Sequence, residues 1–273
     1  MPLLGPAEIR DLAASLDLQP TKKLGQNFVV DGNTVRKIVK TARVAPGDEV
    51  LEVGPGLGSL TLGLLEAGAR VTAVEIDRRL AELLPRTVEA LQPGAPLDVV
   101  TADALKADIP GQPKRLVANL PYNISVPVIL HLLETVPSLE TALVMVQAEV
   151  GQRIAAPPGS KVYGSPSVKA AWYGRWSIAG AVSRQVFWPV PNVDSILVAF
   201  ERGELPGTDE ERVRTFALVD AAFGQRRKML RQALAETLGG SAAASALMES
   251  VGVDPTLRGE QLLAGDFLRI ARV

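Results

Sequence analysis

Short apolar runs alternate with longer amphipathic stretches along most of the chain. Val50–Val53, Arg70–Glu75, Leu97–Thr101, Arg115–Ala118 and Leu139–Val146 have strand length and are rich in β-branched residues. Between them lie stripes at helical spacing: Val35, Ile38, Val39 and Ala42, then Leu80, Leu83, Leu84, Val88 and Leu91. Ile124–Val136 reads as another helix, with Pro127 in its first turn, where a missing N–H is tolerated. A shorter helix spans Glu8–Leu16, and Asp31 or Asn33 can cap the helix that follows. Strands alternating with helices predict an α/β protein with a parallel sheet.

Further on, Gln147–Ala155 reads as helical, Pro157–Ser160 as a loop and Ser165-Pro166 as a helix start. Trp172, Tyr173 and Trp176 lie in or after that helix and read as core. Ser177–Val186 and Ile196–Phe200 are strand-like, which makes Gln185–Ser195 a hairpin loop stiffened by Pro189 and Pro191. After Gly203–Gly207 the pattern turns wholly helical. Thr208 with Glu211 forms a capping box for a helix over Thr208–Phe223, followed by Arg226–Leu238, Ala242–Val251 and Asp266–Arg272. The pattern divides the chain into residues 1–204, opening on an arm over 1–30, and a small helical domain over 205–273.

Composition narrows the chemistry. The 273 residues include no cysteine and one histidine, which excludes disulfides and thiolate metal sites and disfavours a histidine metal cluster or a Ser-His hydrolase. His131, inside a helix, reads as structural or surface. No apolar run reaches membrane-spanning length and the start lacks a basic-then-apolar leader, so a cytoplasmic protein is expected, with no membrane and no metal. Net charge is −1, so any nucleic-acid contact must come from local clusters of Lys and Arg. The densest is Gln225-Arg226-Arg227-Lys228-Met229-Leu230-Arg231, where Arg226, Arg227, Lys228 and Arg231 are candidate phosphate contacts.

Three stretches carry candidate chemistry. Val50–Val53 runs into Gly54-Pro55-Gly56-Leu57-Gly58 and then a helix, the layout of a nucleotide-binding crossover. Glycines let a ligand lie against the backbone, and Gly54 and Gly56 are candidate contacts. Glu75, about twenty residues on, suits ribose hydroxyls. Asp103, after the third strand, could accept from an adenine amino group or could simply cap a turn. Asn119-Leu120-Pro121-Tyr122 ends the fourth strand. Asn119 and the Leu120 carbonyl can accept both hydrogens of an exocyclic amine, and Tyr122 can stack on a flat base. In the proline-stiffened loop, Phe187 suits stacking on an extruded base.

Taken in order, Gly25-Gln26-Asn27-Phe28, Glu52–Gly58, Glu75-Ile76-Asp77, Asn119–Ile124, Phe187–Ser195 and Phe223–Lys228 resemble the ribosomal RNA adenine N6,N6-dimethyltransferase family, in its bacterial small-subunit branch. The likeness runs from about Thr21 to the last helix. Trp188 stands where relatives often carry a smaller residue, and Gly224 where serine is common. The resemblance implies a Rossmann-like class I methyltransferase sheet with a small C-terminal all-helical domain that binds RNA. It implies S-adenosylmethionine as cofactor, held by Asn27, the Val29 backbone, Gly54, Gly56, Glu75, Asp103 and Asn119. It implies as substrate two adjacent adenines in a hairpin loop near the 3′ end of 16S RNA, within the assembling small subunit, and a monomeric enzyme. Asn119, Leu120, Tyr122 and Phe187 would be catalytic, with Phe187 and Tyr122 sandwiching the flipped adenine.

Other readings remain. An erythromycin-resistance-type methylase of 23S RNA shares the loop and the Asn-x-Pro-Tyr site. A nicotinamide-dependent oxidoreductase also uses a glycine turn followed by an acid, but leaves Asn119–Tyr122 and the basic cluster without a role. An assembly or transcription factor could bind RNA without catalysis.

Overall fold

The computed structural model describes residues 2–18 and 27–273. The Gly25-Gln26 part of the first motif, and the basic stretch before it, lie outside the described residues. In chain order the elements are α1 (Pro6–Ser15), β1 (Phe28–Val29), α2 (Gly32–Thr41), β2 (Glu49–Val53), α3 (Ser59–Glu66), β3 (Arg70–Glu75), α4 (Arg78–Leu91), β4 (Leu97–Thr101), β5 (Arg115–Asn119), α5 (Ser125–Thr135) and β6 (Thr141–Gln147). There follow α6 (Ala148–Ile154), α7 (Ser165–Ala171), β7 (Gly174–Val182), β8 (Phe187–Trp188), β9 (Ser195–Arg202), α8 (Asp209–Gly224), α9 (Leu230–Ala233), α10 (Ser241–Ser250) and α11 (Ala264–Ala271).

Seven strands form one sheet in the order β4-β3-β2-β5-β6-β9-β7. β4, β3, β2, β5 and β6 run parallel, and β9 lies antiparallel to β6. The interior strands are mostly apolar on both faces, with Glu52 of β2 the buried exception, as helices on each side require. Asp31 caps α2, accepting from the Thr34 N–H at 2.8 Å.

The chain folds into two compact units, 1–151 with 177–202, and 152–176 with 203–273. The second unit therefore includes 152–176, which the sequence pattern placed in the first. Its core joins Tyr163 and Val168 to Leu218, Val219, Leu230, Met248 and Phe267. Apolar side chains on the 152–176 excursion complete a small helical core that 205–273 alone would leave open. Thr208 and Glu211 form the expected capping box on α8.

Two expected elements differ. Arg226–Leu238 is not a continuous helix; only Leu230–Ala233 is regular. The N–H groups of Leu230 and Arg231 are taken by the carbonyls of Leu257 and Pro255, a tertiary pairing that overrides local propensity. Gln185–Ser195 is not a free hairpin loop either. Arg184–Val186 makes a 3-10 turn, and β8 then pairs with β1, Phe28 opposite Trp188 and Val29 opposite Phe187.

The packing of α3 on α2 leaves no room at Gly63, where a Cβ would lie 2.3 Å from Val35 Cγ1 and 3.3 Å from Val39 Cγ2. Gly63→Ala is expected to cost about 1–3 kcal/mol in overpacking, partly offset by about 1 kcal/mol of helix propensity. A thermal melt lowered by about 2–8 °C would show it; an unchanged melt would mean the helices separate freely.

Candidate active site

The sheet order reverses between β2 and β5, and ligands in open α/β sheets bind at the carboxyl ends of the strands at such a point. The residues singled out in the sequence converge there. Gly54 and Gly56 follow β2, Glu75 ends β3, Asp103 follows β4 and Asn119 ends β5. All five line one cavity of about 300 Å³, with Asn27, Phe28 and Val29 along another side.

The turn after β2 needs its glycines. Gly54 and Gly56 have φ of +68° and +58°. A Cβ on Gly56 would sit 2.8 Å from the Phe28 ring, so the backbone itself forms the wall. The Gly56 N–H donates to Glu75 Oε2 at 3.1 Å, and the Asp77 N–H to Glu75 Oε1 at 2.9 Å. Glu75 is buried, and burial raises its pKa against the lowering effect of those N–H groups. It thus braces the glycine turn as well as facing the cavity, and a carboxylate with about four acceptor sites keeps capacity for a ligand. Asp103 caps its turn, its Oδ1 accepting from the Leu105 N–H at 3.0 Å, and the residue also lines the cavity.

Asn119 Nδ2 donates to the Asn27 carbonyl at 3.0 Å. That bond settles the orientation of the amide and leaves Oδ1 as its acceptor. The Leu120 side chain is buried and its N–H donates to the Met145 carbonyl at 3.1 Å, which anchors the backbone beside Asn119. Tyr122 is half-buried, lines the cavity, and its hydroxyl lies 2.7 Å from Ser195 Oγ. The Val29 carbonyl accepts from Ser59 Oγ at 2.6 Å, tying β1 to the start of α3.

Two candidate residues sit differently from the others. Phe187 is only 2% exposed, belongs to the core and does not line the cavity. Its pairing opposite Val29 accompanies an inward side chain, so Phe187 is not among the residues that share the cavity with Tyr122. Its neighbour Trp188 stacks on Phe28, with centroids 6.4 Å apart. In the second unit Arg226 is committed to Glu260 at 2.8 Å and to the Lys161 carbonyl at 2.8 Å. Arg227 and Lys228 are exposed and Arg231 is half-buried.

Glu52 is the residue whose importance the sequence pattern did not reveal. It is buried in the cavity wall, accepts from Thr61 Oγ1 at 2.6 Å, and is pushed up to about 8, chiefly by burial and further by the charge of Glu75. An acid inside an otherwise apolar strand was the available signal. Among the described residues, no group of His, Cys, Asp or Glu could hold a metal ion, and no helix is long and apolar enough to cross a membrane.

A family model described as ribosomal RNA adenine dimethylase matches residues 18–273. A protein named ribosomal RNA small subunit methyltransferase A from Leifsonia xyli is 70% identical over 273 residues, covering 98% of each chain. Its namesake from Thermobifida fusca is 60% identical over 273 residues, covering 98% of this chain and 95% of the relative. Among solved structures, a dimethyladenosine transferase from Plasmodium falciparum aligns with a TM-score of 0.75 at 25% identity, over 88% of this chain and 94% of that one. The 23S rRNA methyltransferase ErmE aligns with a TM-score of 0.67 at 29% identity, over 90% and 98%. The sheet is that of the Rossmann-like class I methyltransferases, and the chain belongs to the ribosomal RNA adenine dimethylase family.

Proposed function

We propose that the protein transfers methyl groups from S-adenosylmethionine to N6 of two adjacent adenines in the hairpin loop near the 3′ end of 16S RNA, during assembly of the small subunit. The observation that carries this reading is the Asn119 amide, held by the Asn27 carbonyl so that its oxygen is the acceptor at the cavity. The cavity suits the cofactor: a glycine turn exposes backbone, and Glu52, Glu75 and Asp103 place acidic groups where a cationic ligand would lie. Asn27, Val29, Gly54, Gly56, Glu75, Asp103 and Asn119 would hold it. S-adenosylmethionine supplies a methyl group activated on a positively charged sulfonium.

The protein's part is to prepare the amine. Adenine N6 is a weak nucleophile because its lone pair is conjugated with the ring. Asn119 Oδ1 and the Leu120 carbonyl accept its hydrogens and draw the nitrogen toward a tetrahedral shape, aiming the lone pair. Each transfer would form one N–C bond as the methyl–sulfur bond of the sulfonium breaks to leave a neutral thioether, and the displaced N6 proton would pass to solvent. Tyr122 supplies the stacking face for the extruded base. The protein would act as a monomer in the cytoplasm. The small-subunit reading is favoured over the 23S one because relatives bearing the small-subunit name reach 60–70% identity, against 29% for ErmE.

Incubation with labelled S-adenosylmethionine tests this directly. Label should enter the two adjacent adenines of undermethylated small subunits; label confined to naked large-subunit RNA would overturn the assignment.

Arg227 and Lys228 are the exposed members of the basic cluster and serve as phosphate contacts in this reading. Replacing both by alanine is expected to reduce the slope of log affinity against log salt by about 1.5, with weakening spread evenly over RNA sequences. An unchanged slope in a salt titration would remove the cluster from the interface.

A further inference from the structure

We propose that Ser195 is a positioning residue: its buried hydroxyl fixes the direction of the Tyr122 ring, and through it the plane of the target base. The inference rests on the stacking role given to Tyr122 above.

Tyr122 lies in a turn just after β5 and is not held by a strand or helix ladder. Its ring reaches across to a residue far along the chain, with 2.7 Å between the phenol oxygen and Ser195 Oγ. Ser195 is fully buried and opens β9, opposite Gln147 of β6. The Ala148 N–H donates to the Asp194 carbonyl at 2.8 Å, so the backbone around Ser195 is part of the sheet. A turn outside the ladders is thereby fastened to a sheet strand at the far end of its ring. An apolar contact would let the ring slide; a directional bond sets where it points. The half-buried phenol also needs a partner, since a buried hydroxyl without one is costly.

The double modification makes this tether matter most at the second transfer. An unmodified amine offers two hydrogens to Asn119 and Leu120. After the first methyl only one remains, so stacking on Tyr122 becomes a larger share of what holds the base. A loosened ring should therefore release monomethylated product.

The test uses S195A, Y122F, the double variant and Y122A on undermethylated small subunits, with product ratios by mass spectrometry and cofactor affinity by titration calorimetry. S195A and Y122F should each lower kcat by about tenfold, the worth of one hydrogen bond, with cofactor Kd within about twofold of the parent. Both should accumulate N6-monomethyladenine. The double variant should be no worse than either single one, because both remove the same bond. Losses that multiply, or Y122F with parental rate and product ratio, would overturn the proposal. Y122A separates the two ideas. If Y122A is inactive while Y122F is unaffected, stacking stands and the tether falls; if Y122A is fully active, the stacking role falls and takes the tether with it.

Discussion

Asn119→Ala is expected to lower the rate of methyl transfer by about 10²–10³-fold, the loss typical of removing one preorganised polar group aimed at a reacting centre. The size follows from how the amide is held. Asn119 ends β5, in the middle of the parallel sheet, and its Nδ2 is anchored to the Asn27 carbonyl at 3.0 Å. The acceptor oxygen is therefore oriented before any base arrives, and no reorganisation is needed when the amine polarises. Alanine removes the acceptor and also the bond to the Asn27 carbonyl, so the cofactor side of the cavity loosens, but Gly56, Glu75 and Asp103 keep their own bonds. Cofactor affinity should then fall far less than turnover. Single-turnover methylation beside calorimetry separates the two effects. Asn119→Asp is the sharper comparison: it keeps acceptors but cannot donate to Asn27, and it sets a carboxylate against that carbonyl. If Asn119→Ala turns over at near-parental rate, the amide has no part in preparing N6.

Much of the cavity was legible because its parts are local. The glycine turn, the strand before it and Glu75 beyond it sit at a spacing that one crossover unit imposes, and the Gly56–Glu75 bond shows why the spacing matters. Asn119-Leu120-Pro121-Tyr122 was legible because proline ends a strand in any context. What escaped was decided by distant partners. Phe187 looked like a stacking residue in a stiff loop, and only its pairing opposite Val29 turns it into the core. The basic run looked like the start of a long helix until carbonyls at Pro255 and Leu257 took its N–H groups. The 152–176 stretch looked like part of the sheet domain by position, but its apolar side chains face the second core. Glu52 was hidden in plain view inside a motif, because burial, which sets its chemistry, has no single-residue signature.

Glu52 is where burial has the largest measurable consequence. Its ordinary value is 4.5, and burial pushes it up to about 8 in the folded chain, with Glu75 adding repulsion and the Thr61 hydroxyl opposing. Below pH 4.5 both folded and unfolded states carry the proton and Glu52 contributes no pH dependence. Between that value and about 8 the unfolded chain has released the proton while the folded chain still holds it, so stability falls as pH rises. The whole fall from this one group is on the order of 5 kcal/mol and levels off above the folded value. Glutamine keeps an acceptor for Thr61 and has nothing to ionise. Glu52→Gln should therefore match the parent near about pH 4.5 and exceed it by several kcal/mol near about pH 9, measured as the difference between urea unfolding curves. Taking the difference cancels groups with depressed values, such as Asp31 and Asp77, which act only at lower pH. The same variant should bind the cationic cofactor more weakly, because the parent can gain an ion pair by releasing the Glu52 proton on binding. That release would appear as a calorimetric heat that depends on the buffer in the parent and not in Glu52→Gln. Parallel stability profiles for the two proteins would mean that Glu52 is already ionised when buried, and its acid character would then have to be balanced by a cation not yet assigned.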